Sequence, residues 1–172
     1  GRLTTLIRAV QPLPHAAVRS EIEELIDTRV AALGADACLF RIAGSDVLAP
    51  AYATPRLRAT AVRLRPPIGS GVSGWVAANR SAIRSADPAL EAPELTEALA
   101  MRSCASVPVF MRADLFGVLT AYWPASRRMD GDVDALGLLA QEIGLLISRG
   151  PSILPPPLPF EPAKTLPLPA IY

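Results

Sequence analysis

The chain has 172 residues, 51% of them hydrophobic, enough for one domain with a real core. A formal net charge of +1 gives no electrostatic footprint for nucleic acid. Two cysteines without C-x-x-C spacing argue against a disulfide framework and for a cytoplasmic setting, and one histidine is too few for the usual four-ligand structural zinc site.

No initiator Met and no secretory signal open the chain, so a piece of a longer protein is expected. Residues 3–10 carry a brief helical pattern, read as the end of an upstream linker helix and stopped by Pro12 and Pro14. Residues 1–15 are therefore set apart from the domain. From residue 16 to 33 the pattern is helical, with Val18, Ile22, Leu25, Ile26, Val30 and Leu33 on one stripe. Glu21, Glu23 and Glu24 suit the start of that helix, and Gly34 suits its end.

Residues 37–42 and 47–52 read as two strands around a turn at 43–46. The next stretch is irregular, with a short strand expected at 59–64. A glycine-punctuated loop and a short helix follow at 69–79, where Ser70 or Ser73 is placed to cap the helix and Trp75 and Val76 to pin it to a core. A strand is expected at 83–85 and a short helix at 95–99. Residues 104–111 and 115–122 form a second hairpin. Its turn, Arg112 to Asp114, lacks glycine, so tertiary contacts must hold it.

The last helix starts at Asp130 or Asp132. Val133, Leu136, Leu139, Ala140, Ile143, Leu146 and Ile147 share one broad face, and Leu138 and Leu145 fall on the other. Gln141 and Glu142 argue against a membrane span here. Apolar residues on both sides point to a partner helix. The tail, residues 150–172, holds eight of the 18 prolines, which favours extended polyproline geometry. Its leucines and isoleucines suit docking on a surface better than a free linker.

Gly69, Gly71 and Gly74 spell G-x-G-x-x-G, the spacing of a dinucleotide-binding turn. That turn needs a buried parallel strand before it, and Pro66 and Pro67 deny one. The longer run PIGSGVSGWVAANR, residues 67–80, resembles the central signature of GAF domains. AIRSAD at 82–87 resembles that family's short strand ending in Asp. SCASVPVF at 103–110 and LFGVLTAY at 115–122 resemble its next two strands, and residues 132–148 its closing helix. The resemblance spans residues 16–149 and implies an α/β (α+β) fold. An antiparallel sheet would carry the terminal helices on one face, with shorter helices covering a pocket on the other.

By the same resemblance the domain is a regulatory module of a bacterial signalling protein. A small molecule or a dimer rearrangement would act through the terminal helices on an effector, such as a histidine kinase of a two-component system. Phe40, Tyr52, Trp75, Ser85, Asp87, Ser103, Cys104 and Tyr122 are the candidates to line its pocket. Ser85 and Ser103 are the expected neighbours of a bound metabolite, and Asp87 before Pro88 also reads as a turn initiator. Leu138 and Leu145, flanked by Gly137 and Gly144, are the expected contact of a symmetric homodimer.

Catalytic signals are thin, so no catalytic residue and no metal ligand is assigned. His15 lies outside the core pattern, and no serine has a histidine partner. Some GAF proteins attach bilins through a cysteine with a neighbouring histidine, but Cys104 is flanked by Ser103 and Ala105. The Asn-Lys-Phe-Asp-Glu pattern of cyclic-nucleotide-binding members is absent, and heme lacks an axial histidine within the domain. No cofactor is named. Two rivals stand beside the sensor: a ligandless dimerisation module, and a redox enzyme of the free methionine sulfoxide reductase type. The last would need its two thiols within disulfide reach.

Overall fold

The computed structural model describes residues 12–124 and 130–149. The expectations for residues 3–10, for the His15 side chain and for the proline-rich tail lie outside the described residues. The elements, in chain order, are α1 (Pro12–Ala32), β1 (Ala37–Ala43), β2 (Leu48–Ala53), α2 (Arg58–Ala61), α3 (Gly71–Asn79), β3 (Ile83–Ala86), α4 (Pro93–Glu97), β4 (Ser103–Met111), β5 (Asp114–Trp123) and α5 (Asp130–Arg149). Single 3-10 turns, Pro55–Leu57 and Pro88–Leu90, precede α2 and α4.

The five strands form one sheet in the order β2-β1-β5-β4-β3, and every neighbouring pair is antiparallel. Strand alternation sorts the side chains into two cores. Cys38, Phe40, Ala105, Val107, Leu119, Ala121 and Trp123 pack with Ile22, Ile26, Leu136, Leu139 and Ile143 of α1 and α5. Ala37, Leu39, Cys104 and Tyr122 point the other way, to Leu57, Ala61, Val72, Leu95 and Met101 of the short elements. Because β1, β4 and β5 are covered on both faces, they read as apolar runs rather than as alternation.

The segment expected as a strand at 59–64 is helical instead, at Arg58–Ala61. Pro55 sits in the first turn of the preceding 3-10 segment, and the chain continues from it into α2. Ala59 and Ala61 favour a helix there. The α4 helix begins earlier than its leucine spacing implies, because Pro93 fits the first helical turn. The glycine-free turn between β4 and β5 carries Arg112 at φ 61°. Arg80 holds that turn, donating from Nη2 to the Ala113 carbonyl at 2.6 Å with its guanidinium over the Phe110 ring.

The helix α5 lies close against β4. A Cβ at Gly144 would stand 2.2 Å from the Phe110 carbonyl oxygen. Gly144 therefore serves this chain's own packing, which corrects its expected place at a dimer contact. Gly137 faces open space, and Leu138 and Leu145 are 58% and 66% exposed. Arg29 and Glu142 join α1 to α5 by an ion pair of 2.8 Å. No helix among the described residues is long and apolar enough to cross a membrane.

Candidate functional site

Beneath α3 the sheet carries polar side chains where an apolar floor would be the default. Arg41 of β1, Thr120 of β5 and Ser106 of β4 are all fully buried. They share a face with Tyr122, also fully buried. The Ser106 and Thr120 hydroxyls bond to each other at 2.8 Å.

Arg41 anchors the site. Its Nη1 donates to Glu91 Oε2 at 2.8 Å and to Ser73 Oγ at 2.7 Å, and its Nε donates to the Leu64 carbonyl at 3.3 Å. The Arg41 and Glu91 side chains are 0% and 1% exposed. The Ser73 hydroxyl donates to Glu91 Oε2. Glu91 Oε1 accepts from the Val72 and Ser73 amides at 2.8 and 3.0 Å. The chain's own carboxylate thus fills the anion position at the N-terminus of α3, where the helix dipole favours negative charge. Ser70, at the cap position, makes no side-chain cap bond.

Gly71 explains itself in the same place. It has φ +67°, and a Cβ there would lie 2.9 Å from Glu91 Oε1. The glycine spacing therefore lets Glu91 reach the helix end, and no strand leads into the loop among the elements found.

Two donors in this layer have no hydrogen-bond partner among the described residues: Arg41 Nη2 and Tyr122 Oη. Burial pushes the Tyr122 phenol well above its usual range; Arg41 opposes that shift and Glu91 adds to it. Tyr122 therefore stays protonated, with a hydroxyl free to donate.

The expected pocket residues divide between places. Tyr122 and Cys104 lie on the face beneath the short helices. Ser85, Asp87 and Ser103 line a surface cleft of about 390 Å³ with Ala86, Thr96, Met101 and Arg102. Met101 belongs both to this cleft and to the core around Tyr122, so the two sites share a wall. Asp87 caps its 3-10 turn by accepting from the Ala89 amide at 2.9 Å. Phe40 and Tyr52 pack on the opposite face, under α1 and α5, because their strand parity turns them there. The Tyr52 hydroxyl donates to Asp27 at 2.7 Å. Trp75 is 41% exposed, and Val76 pins α3 to the core together with Val72 and Ala77.

Arg41, Ser73 and Glu91 were not legible as site residues from pocket reasoning. The available signal was one arginine at an inward position of an otherwise apolar strand, ACLFRIA.

Cys38 and Cys104 point to opposite faces, and β5 lies between their strands. Adjacent strands are ~4.8 Å apart, so two spacings exceed disulfide reach. Both thiols are buried, and desolvation pushes Cys38 up to about 12. The two-thiol arrangement required for the redox reading is not present. Among the described residues no three His, Cys, Asp or Glu side chains cluster as metal ligands.

No curated protein sequence matches the chain. Among solved structures, the fold is similar to a GAF domain of a phosphoenolpyruvate-protein phosphotransferase from Coxiella burnetii, at 20% identity and TM-score 0.66, covering 86% of this chain and 90% of that one. It is also similar to free methionine-R-sulfoxide reductase from Neisseria meningitidis, solved with its substrate, at 23% identity and TM-score 0.62, over 84% and 91%. A GAF/HD domain protein from Geobacter sulfurreducens matches at 15% identity and TM-score 0.58, over 76% and 94%. At these identities the likeness concerns the fold. The sequence itself matches the profile of the GAF domain over residues 16–148, the span that carries the sheet, the glycine loop and both flanking helices, and the chain belongs to that family.

Proposed function

We propose that this domain is a regulatory module that binds a small molecule between its sheet and α3. The observation that carries the reading is the set of buried polar groups there, Arg41, Thr120, Ser106 and Tyr122, two of which have donors without partners. Buried polar groups are normally satisfied, and exceptions call for a reason. Met101, at the edge of this layer, also lines the surface cleft with Ser85 and Ser103, and we take that cleft as the ligand's way in. Binding would tighten the short elements on the sheet, and the sheet would pass that change to α1 and α5. An effector, a cytoplasmic signalling domain or partner, would read those helices.

Dialysis of the purified domain against a metabolite extract, followed by mass spectrometry, tests this. Wild type is expected to retain one small molecule that Met101→Trp, which fills the shared wall, does not. Equal retention of nothing by both would leave the ligandless dimerisation module as the better reading.

A second feature supports assembly. The exposed Leu138 and Leu145 lie one above the other on the outer side of α5, and Leu145 borders a groove of about 650 Å³ between α1 and α5. We read this surface as the contact of a symmetric homodimer. Catalysis is not part of the proposal, since neither thiol has the exposure that a redox step needs.

A further inference from the structure

The groove of about 650 Å³ between α1 and α5 is apolar along its floor. Leu25 and Leu146 form that floor; both are partly buried and rest on the core under the helices. Leu145, 66% exposed, is the rim that the groove shares with the proposed dimer contact. Arg29 meets Glu142 at one end. From there the lining runs back to Glu21 on α1 and on to Arg149 on α5, so the two helices are antiparallel and these residues close the other end. The stretch from Glu142 to Arg149 measures about 10 Å at 1.5 Å per helical residue.

At the Arg149 end the chain leaves α5. It continues as GPSILPPP, residues 150–157. Gly150 suits a reversal directly after a helix. The three prolines at 155–157 favour an extended backbone, and Leu154, placed before a proline, is pushed the same way. A segment pre-set in this way loses little conformational freedom on docking. At ~3.1 Å per residue, about four residues cover the groove. After a reversal at 150–152, those are Ile153 to Pro156. No charged side chain occurs in residues 150–160, so seating them brings no charge against the Glu21 and Arg149 walls. The tether is short, which sets an effective concentration on the order of millimolar, and a free partner would have to bind far more tightly to compete.

We infer that residues 153–156 of this chain seat in the groove between its own α1 and α5, with Ile153 and Leu154 against Leu25 and Leu146. The walls belong to two helices, so the seat keeps its shape only while α1 and α5 hold their spacing. The tail is thus a latch on the terminal-helix layer. This docking does not depend on a ligand under α3.

The full chain and Ile153→Ser with Leu154→Ser, compared by methyl NMR, test it. The change lies outside the packed domain, so it leaves the fold intact. The Leu25 and Leu146 methyl signals are expected to differ between the two proteins, equally in concentrated and in dilute samples. Those of Val72 and Leu95, on the other face of the sheet, should stay where they are. Leu158→Ser with Phe160→Ser, beyond the length of the groove, should move Leu25 and Leu146 less. Unchanged Leu25 and Leu146 signals in the first variant overturn the inference. A difference that fades on dilution also overturns it, because the occupant is then the tail of a second copy. A larger effect from the second variant overturns the assignment to residues 153–156.

Discussion

Arg41 and Glu91 stand fifty positions apart in sequence and meet at 2.8 Å with their side chains closed to solvent. The pair ties β1 to the segment before α4, and Ser73 draws the start of α3 into the same contact. A buried ion pair contributes little beyond an apolar replacement, but the loss of one partner strands a charge, at a cost of roughly 3–5 kcal/mol. Arg41→Met and Glu91→Gln should each lower the stability measured by urea unfolding by about that amount. The double variant should recover much of the loss, so the cycle yields a coupling of more than about 1 kcal/mol. Additive losses would mean that Glu91 acts on α3 alone.

The two hairpins, both terminal helices and the glycine loop were legible because each rests on local signals: three- and four-residue spacing, apolar runs and glycine position. The site was less so. Phe40 and Cys38 lie on the terminal-helix face and Leu39 and Arg41 on the other, so one step of parity separates pocket from support. Apolar strands buried on both faces hide that step. Glu91 lies between Pro88 and Pro93, in a stretch without periodicity, and only the fold brings its carboxylate to α3. The role of Gly144 was hidden for a similar reason, since its neighbour Phe110 belongs to a distant strand.

Two glycines on α5 should respond oppositely to alanine. At Gly144 a methyl would enter the Phe110 carbonyl, so α5 must shift off the sheet. Overpacking of this kind costs about 1–3 kcal/mol. At Gly137 the added methyl meets open space, and alanine is the better helix former by roughly 1 kcal/mol. Gly144→Ala should thus lower the urea midpoint and Gly137→Ala raise it. The reverse order would place the close approach elsewhere.

Cys38 gives a pH signature. Burial raises its folded value from 9.0 to about 12. The folded state thus holds its proton more tightly than the unfolded state does. The associated stability is fully present below pH 9 and is lost as pH rises from there through about 12. Unfolding free energy should decline over that window, and less steeply in Cys38→Ala. Burial both raises this value and shields the sulfur, so at pH 8 iodoacetamide should label Cys38 far more slowly in the native protein than in urea. Rapid native labelling would reopen the redox reading.

The outer side of α5 provides the last prediction. Leu138 and Leu145 are seven residues apart, so they lie nearly one above the other, and both are mostly exposed. The opposite side of the helix, with Leu136, Leu139 and Ile143, is spent on the sheet. The outer leucines therefore have no role in holding the single domain together. Burying a leucine contributes roughly 1.5–3 kcal/mol, and a two-fold contact buries each one twice. α1 and α5 pack on the same apolar cluster of the sheet, and the Arg29–Glu142 ion pair also links them. Leu138→Glu with Leu145→Glu should then turn a dimer into a monomer in sedimentation equilibrium, with the urea midpoint of the monomer unchanged. Wild-type protein that sediments as a monomer, or a double variant that stays dimeric, would remove these leucines from the interface. It would also take away the physical route by which a ligand under α3 reaches an effector through the terminal helices.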